Sequence, residues 1–356
     1  MEVLVPVVLR NLDIPIFIET GHRLTDDLSS VISKYNLQFQ NPLFLHGGKT
    51  YKICAKNAIE SFPVKGRRET VTKSDEEEVQ KVEALITRNL HDVIIGIGGG
   101  KVLDVGKLAA AERNVGFISV PTIPSNDGIA SPVAVISKEG ENRSIRARVP
   151  MGIVVDLDVL RKAPRRHLRA GVGDLLANLS AIHDWRLAFD SNKDNYDPFA
   201  ALLSRLAVEG LVNYDDPDFS KEGFIEHLAM GLILSGIAMG IAGSSRPASG
   251  SEHEISHAID HLYGGMGLHG EQVAITTRFS LYLQGQDSTK VAKIYQKLKI
   301  PEKLSDINLS IDRFVKAVQY APKTRPDRYT ILEKLNLNAK KIKETAIGSG
   351  IWSVSD

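Results

Sequence analysis

Short apolar runs alternate with longer amphipathic stretches through the first half of the chain. Residues 43–45, 93–97, 117–120 and 153–155 are short strand-like runs, apolar but for Ser119, as expected of strands buried on both faces. Residues 76–90 and 102–112 instead space their apolar positions three and four apart, which predicts helices packed on one side. Strands alternating with helices build a parallel sheet covered on both faces. From Pro164 onward the strand signals stop, and helices are predicted over 174–189, 224–243, 253–262, 272–284 and 289–298. At 356 residues the chain exceeds the size at which one core usually stops growing. The expected architecture is an α/β N-terminal Rossmann-like parallel-sheet domain, residues 1–163, followed by an all-α C-terminal domain, residues 164–356. A ligand site is expected in the cleft between them.

Composition narrows the function classes. The chain is 43% hydrophobic and 24% charged with a net charge of +1, which excludes a disordered chain and leaves a nucleic-acid partner no electrostatic footprint. The single cysteine, Cys54, has no internal partner, which points to a reducing, cytoplasmic compartment. Residues 1–17 are apolar but carry Glu2, Pro6, Arg10 and Asp13, against the unbroken run of a signal peptide. Residues 228–243 are uncharged but fall short of the roughly 20 that a membrane span needs. With Gly231, Ser235, Gly236 and Gly240 permitting close contact, this stretch is expected to be a buried core helix and not a span.

Two segments carry nucleotide chemistry. Residues 93–104 read as an apolar strand, the turn Gly98-Gly99-Gly100, and a helix start. Glycines let a backbone approach a pyrophosphate, and the first amides of the following helix point at the anion. The Walker pattern fails because Val102 follows Lys101, and the GxGxxG fingerprint fails because Lys101 stands where its third glycine should be. The second segment, Phe117 to Asp127, ends a strand in hydroxyls, prolines and a carboxylate. Thr122 and Ser125 suit phosphate or nicotinamide, and Asp127 suits a substrate hydroxyl. In a parallel sheet both loops face one crevice. Ordinary turn chemistry is the alternative for each loop taken alone.

Histidines cluster once, as His253, His257 and His261 at helical i, i+4, i+8 spacing, with His269 close behind. Upstream, Ala170-Gly-Val-Gly-Asp174 places a carboxylate at an expected helix start, where an N-cap is the competing explanation. Together these residues suggest a metal site. His253-Glu254-Ile-Ser-His257 also satisfies H-E-x-x-H, the zinc-protease helix with Glu254 as base and Glu271 as a possible third ligand. That rival leaves the glycine turn and Asp174 unused, and Asp260 stands where the extended metzincin motif needs glycine. A non-catalytic metal-binding protein would likewise have no use for the nucleotide loops.

Gly98-Gly-Gly-Lys-Val-Leu-Asp104, Thr122-Ile-Pro-Ser125 with Asp127, Gly171-Val-Gly-Asp174, Ser245-Arg-Pro-Ala-Ser-Gly-Ser-Glu-His253 and His269-Gly-Glu-Gln272 occur in the order seen in the iron-containing alcohol dehydrogenase and dehydroquinate synthase superfamily. The chain resembles that superfamily from about Gly21 to its final helices. Within it, the chain resembles the archaeal branch that reduces dihydroxyacetone phosphate to sn-glycerol-1-phosphate with NADH or NADPH for membrane ether lipids. The resemblance implies the dehydroquinate synthase-like fold and metal ligands at Asp174, His253 and His269, holding Zn²⁺ with Fe²⁺ also compatible. It further implies substrate contacts at Asp127, Asp174 and His257, with His257 and Asp127 catalytic. Nucleotide contacts would fall at Gly98, Gly99, Gly100, Lys101, Val102, Asp104, Thr122, Ile123, Pro124, Ser125 and Ser131. Lys101 departs from the serine common in the family. Arg246, with Ser249 and Ser251, is a candidate for the substrate phosphate, and residues 47–51 for the choice between NADH and NADPH. A homo-oligomer is expected. A glycerol dehydrogenase or a dehydroquinate synthase-like lyase of the same fold is the alternative.

Overall fold

The computed structural model describes residues 13–353; most of the N-terminal stretch weighed above as a signal peptide lies outside them. Eight strands are present: β1 (Phe17–Gly21), β2 (Pro42–His46), β3 (Arg67–Thr70), β4 (Val93–Gly98), β5 (Gly116–Pro121), β6 (Val133–Lys138), β7 (Glu141–Arg146) and β8 (Gly152–Asp156). Six of them form a sheet of order β1-β8-β5-β4-β2-β3, with every neighbouring pair parallel. The four expected strands are its centre. β2, β4 and β8 are buried along their whole length, as their unbroken apolar runs require.

The chain passes from β2 outward to β3 and then returns to lay β4 on the other side of β2. Strand order therefore reverses between β2 and β4, which in an open α/β sheet opens a ligand crevice at the strands' carboxyl ends. The turn after β4 and the Gly47-Gly48 turn after β2 both lie there. They are joined by the Thr50 hydroxyl, which donates to the Ile97 carbonyl at 3.2 Å.

Numbering only the longer helices, α1 (Glu76–Asn89) and α2 (Gly100–Arg113) cover the sheet. Then come α3 (Arg165–Leu176), α4 (Asn178–Asp190), α5 (Pro198–Val212), α6 (Glu222–Ala242), α7 (Ser251–Tyr263), α8 (His269–Leu283) and α9 (Thr289–Leu298), followed by α10 (Ile311–Tyr320) and α11 (Ala339–Gly348). Among the described residues no strand follows Asp156. On that change of element type we propose residues 1–163 and 164–356 as the two units. One apolar cluster nevertheless runs from Leu43, Ile94 and Val155 of the sheet to Leu232 and Ile237 of α6. α6 is long and apolar enough to cross a membrane by length and composition alone, but 67% of its most apolar window is buried inside the protein. A Cβ on Gly236 would stand 2.6 Å from the Ser131 amide, so this glycine lets the helix press directly on the loop after β5.

Two expectations are corrected. The helix expected to open at Asp174 begins nine residues earlier, at Arg165, so Asp174 is an interior residue of α3 and not its N-cap. The glycines before it serve close packing rather than termination. A Cβ on Gly171 would lie 2.0 Å from the Pro124 carbonyl oxygen, and one on Gly173 would lie 2.3 Å from that of Gly270. Second, β6 and β7 form a separate antiparallel hairpin that the apolar runs did not predict. Its turn places Glu139 and Gly140 at positive φ, the geometry of a two-residue hairpin turn.

Candidate active site

Close packing at Gly171 and Gly173 brings three parts of the chain together. α3 presents Asp174, α7 presents His253 from its first turn, and α8 opens on His269. One donor atom from each lies within 4.8 Å of the others. The Asp174 Oδ1 atom is 3.6 Å from Nε2 of both imidazoles, separations that suit donors held about 2 Å from one shared ion.

The outer nitrogens explain why both rings face inward. Nδ1 of His253 is 2.8 Å from the Glu252 carboxylate, which itself accepts from the Gly250 amide at 2.6 Å and from the Ser180 hydroxyl. Nδ1 of His269 is 3.3 Å from the Ser256 hydroxyl, which donates to the side-chain amide oxygen of Gln272 at 2.8 Å. Each ring can donate from Nδ1 and leave the Nε2 lone pair for the centre, as metal-binding histidines commonly do. A carboxylate and two imidazoles with bare Nε2 atoms fit Zn²⁺ or Fe²⁺ with a coordination position left for substrate. Burial works against charge on His253, but the Asp174 and Glu252 carboxylates outweigh it and raise its pKa to about 9. Burial also opposes charge on Asp174, yet the His253 and His269 rings keep its pKa below the ordinary value. These charges show how strongly the pocket favours a cation beside Asp174.

His257 lies within the same cluster, its ring centroid 6.1 Å from that of His269 and 6.3 Å from that of His253. It is outside the three-ligand set. Burial first, then the nearby Arg325, holds it far below the normal histidine range, so the ring is neutral. His261, the third histidine of the run, turns away to the Tyr320 hydroxyl at 2.9 Å. Asp127 sits in a short turn after β5, and its amide donates to Asp174 Oδ2 at 3.0 Å. Its carboxylate accepts from Ser235 at 3.3 Å. Burial, reinforced by Asp174, raises its pKa to about 7. Lys107, fully buried, anchors that turn by donating to the Gly128 carbonyl at 2.8 Å.

The zinc-protease arrangement is absent from this geometry. Glu254 faces away, its carboxylate accepting from the Thr330 hydroxyl at 3.1 Å. Glu271 is held by Arg166 in a bidentate pair with both contacts at 2.7 Å. The phosphate candidates have protein partners, although Ser249 also lines the cavity of the three-ligand set. Arg246 is engaged with Asp194 at 2.6 Å and the Tyr329 carbonyl at 3.2 Å. Ser251 is bonded to Ser280 in the core, and Ser249 is occupied by Arg328.

The glycine turn lies beside this centre. Gly99 caps α2, and nothing lies within 4 Å of a Cβ added at Gly100, so the first amides of the helix face open space suited to an anion. By contrast, a Cβ on Gly98 would collide with Val102 at 2.6 Å. Thr122 ties its amide to the Gly98 carbonyl at 2.9 Å, while its buried hydroxyl has no partner among the described residues. Ile123 lies against Gly99, and Pro124 and Ser125 lie against Gly171. Asp104 and Ser131 line the cavity that also holds Asp127 and the three-ligand set. Val102 is buried beneath the turn, and Lys101 is exposed, donating to the Thr72 carbonyl at 3.2 Å. An orphaned buried hydroxyl, a bare helix start and a strand-order reversal fit a dinucleotide. Ser256, Ser235 and Lys107 escaped the sequence reading because they act on residues of other elements, contacts that carry no linear spacing. Glu252 stands next to His253 in the chain, but nothing local marks its carboxylate as the support of that ring.

A family model described as iron-containing alcohol dehydrogenase matches residues 20–164. The chain is 36% identical over 345 residues to a glycerol-1-phosphate dehydrogenase [NAD(P)+] of Thermococcus sibiricus, covering 96% of this chain and 98% of the relative. It is 37% identical over 323 residues to the protein of that name from Pyrococcus furiosus, covering 88% and 92%. Among solved structures, glycerol dehydrogenase from Schizosaccharomyces pombe superposes with a TM-score of 0.77 at 20% identity, covering 97% of this chain and 94% of that one. Sulfoacetaldehyde reductase from Bifidobacterium kashiwanohense, in complex with NAD⁺, superposes at 0.72 with 14% identity, covering 98% and 100%.

Proposed function

The chain belongs to the glycerol-1-phosphate dehydrogenase family of NAD(P)-dependent oxidoreductases, and on that premise we propose that it reduces dihydroxyacetone phosphate at C2 to sn-glycerol-1-phosphate. In this reading it is a cytoplasmic enzyme that supplies the glycerol backbone of archaeal-type ether lipids. The observation that carries the proposal is the convergence of Asp174, His253 and His269 beside two loops at the carboxyl edge of a parallel sheet.

When bound, NADH or NADPH supplies the hydride, and Zn²⁺ or Fe²⁺ acts as a Lewis acid toward the substrate oxygen. Asp174, His253 and His269 hold the metal, with Glu252 and Ser256 fixing the two rings. Gly98, Gly99, Gly100, Lys101, Val102 and Asp104 form the pyrophosphate side of the nucleotide site. Thr122, Ile123, Pro124, Ser125 and Ser131 form its other wall. Asp127 orients the substrate hydroxyl across from Asp174. The neutral His257 ring hydrogen-bonds the substrate and relays the proton that the product oxygen needs. Buried between the sheet and the helices, these groups act where water is scarce and their fields are stronger than in bulk solvent.

Oxidation of NADH and NADPH is to be followed with dihydroxyacetone phosphate, dihydroxyacetone and simple aldehydes side by side. A strong preference for the phosphorylated ketone is expected. Equal rates on the two ketones would move the activity to a glycerol dehydrogenase. Phosphate release from a seven-carbon sugar phosphate acid without nicotinamide oxidation would move it to the lyase branch.

A further inference from the structure

The cavity of about 200 Å³ that holds the three-ligand set is lined by four acids: Asp104, Asp127, Asp174 and Asp260. A phosphate dianion entering such a space needs a cationic partner, and among the described lining residues Arg325 alone carries a permanent positive charge. Arg325 is half-buried in the segment that follows α10. Its backbone carbonyl accepts from the Arg328 amide at 2.9 Å, but its guanidinium makes no hydrogen bond or ion pair with any described residue, whereas the guanidinium groups of the neighbouring arginines have protein partners. Arg246 is paired with Asp194, and Arg328 donates to Ser249 and Ser245. Arg325 and Ser144 also line both adjoining cavities, so they stand where the inner chamber opens toward solvent. Asn142 and Ser144 are two apart on β7 and share one face of it. Both line the inner cavity, as an amide and a hydroxyl opposite the helices.

We propose that Arg325 captures the phosphate of the substrate, with Asn142 and Ser144 completing the subsite. The inference rests on the dihydroxyacetone phosphate reading above. A guanidinium offers a planar fork that matches two phosphate oxygens, and charge-assisted contacts of this kind are stronger than neutral ones. Partial burial leaves the N–H groups of this fork without acceptors, a cost that a bound phosphate would relieve. Bound there, the phosphate aligns the ketone carbon, a few bonds away, with the Asp174, His253 and His269 centre. The β6–β7 hairpin thereby becomes part of the substrate site.

The test uses the metal-loaded full chain and its Arg325→Met and Arg325→Lys variants, each checked for an intact melting transition. Inorganic phosphate serves as the binding probe in calorimetry. The ratio of kcat/KM for dihydroxyacetone phosphate over dihydroxyacetone is the kinetic readout. In Arg325→Met that ratio is expected to fall about 10²-fold, the loss of two or so charge-assisted contacts, and phosphate affinity by a similar factor. Arg325→Lys keeps the charge without the fork and should fall between, about tenfold. An unchanged ratio and unchanged phosphate affinity in a folded Arg325→Met protein overturn the assignment. Should Arg325→Met fail to fold, an unchanged ratio in Arg325→Lys overturns it equally. A wild-type enzyme with no preference for the phosphorylated ketone overturns the substrate reading itself. A strong wild-type preference that survives in the variants overturns only the role of Arg325.

Discussion

On the sheet side of the cleft the turn after β4 offers backbone amides and empty space, with nothing within 4 Å of a side chain begun at Gly100. On the helical side Asp174, His253 and His269 are aimed side chains, each restrained by a further hydrogen bond. The two walls depend on different things. A backbone site tolerates most changes around it but not the addition of a Cβ toward the ligand. A side-chain site depends on its supports, because an imidazole that can rotate loses its aim. The first is therefore damaged by adding atoms, the second by removing them.

Metal removal is the harshest way to break the comparison. Dialysis against a chelator should abolish turnover and Zn²⁺ should restore it, while nucleotide binding to the glycine turn persists. His269→Ala should behave likewise, losing bound metal and turnover together, with metal content measured by atomic absorption. Turnover that survives complete metal removal would sink the mechanism. His257→Ala comes next. It should keep its metal and lose about 10²–10⁴-fold in kcat, the usual contribution of a proton-transferring group. Loss of metal from His257→Ala with retention in His269→Ala would reverse the ligand assignment.

Gly99→Val probes the other wall. A Cβ there meets only Ile123 at 3.7 Å, an ordinary contact, so the variant should fold. Its branched side chain should raise the cofactor KM about 10²-fold by displacing the pyrophosphate. Gly98→Val, by contrast, collides with Val102 and should lower the melting temperature. If Gly99→Val binds NADPH normally, the dinucleotide lies elsewhere. Glu252→Gln sharpens the supporting role on the helical side, with metal affinity expected to weaken about 10–100-fold and the fold intact. The smallest effect belongs to Glu254→Gln. Burial pushes the Glu254 carboxyl well above its normal range, and its carboxylate oxygen accepts from the Thr330 hydroxyl, a contact that a glutamine amide oxygen can keep. Reductase activity should stay within about threefold, against the 10²–10⁴-fold cost of losing a general base.

The pattern of apolar runs sufficed for the sheet's centre, because a strand buried on both faces must be apolar along its middle, as residues 43–45 of β2, 93–97 of β4 and 153–155 of β8 are. It missed the β6–β7 hairpin, where Val133, Ala134, Val135 and Ile136 alternate in exposure and only the turn at Glu139 and Gly140 marks the reversal. It missed α5, whose signals are local, an Asp197 cap followed by Pro198. The expected start at Asp174 falls inside α3, which includes Gly171 and Gly173, glycines that their neighbours in space require.

The sequence by itself determined the alternation of the sheet's central strands with helices, the glycine turn and the histidine run, since each rests on residues near one another in the chain. It also limited the ligand chemistry, because one cysteine and a single histidine cluster leave few ways to build a metal site. Only the tertiary structure decided which donors converge. His253 and His257 are neighbours on one helical face, yet the third position of the donor set beside Asp174 goes to His269, brought in by the close packing of α3 on α8. It also decided that Arg246 pairs with Asp194 while the Arg325 guanidinium faces the cavity without a hydrogen-bond partner among the described residues. The reason is physical. Aim and pairing depend on distances between elements that no linear spacing encodes, and a buried charge is defined by what packs around it.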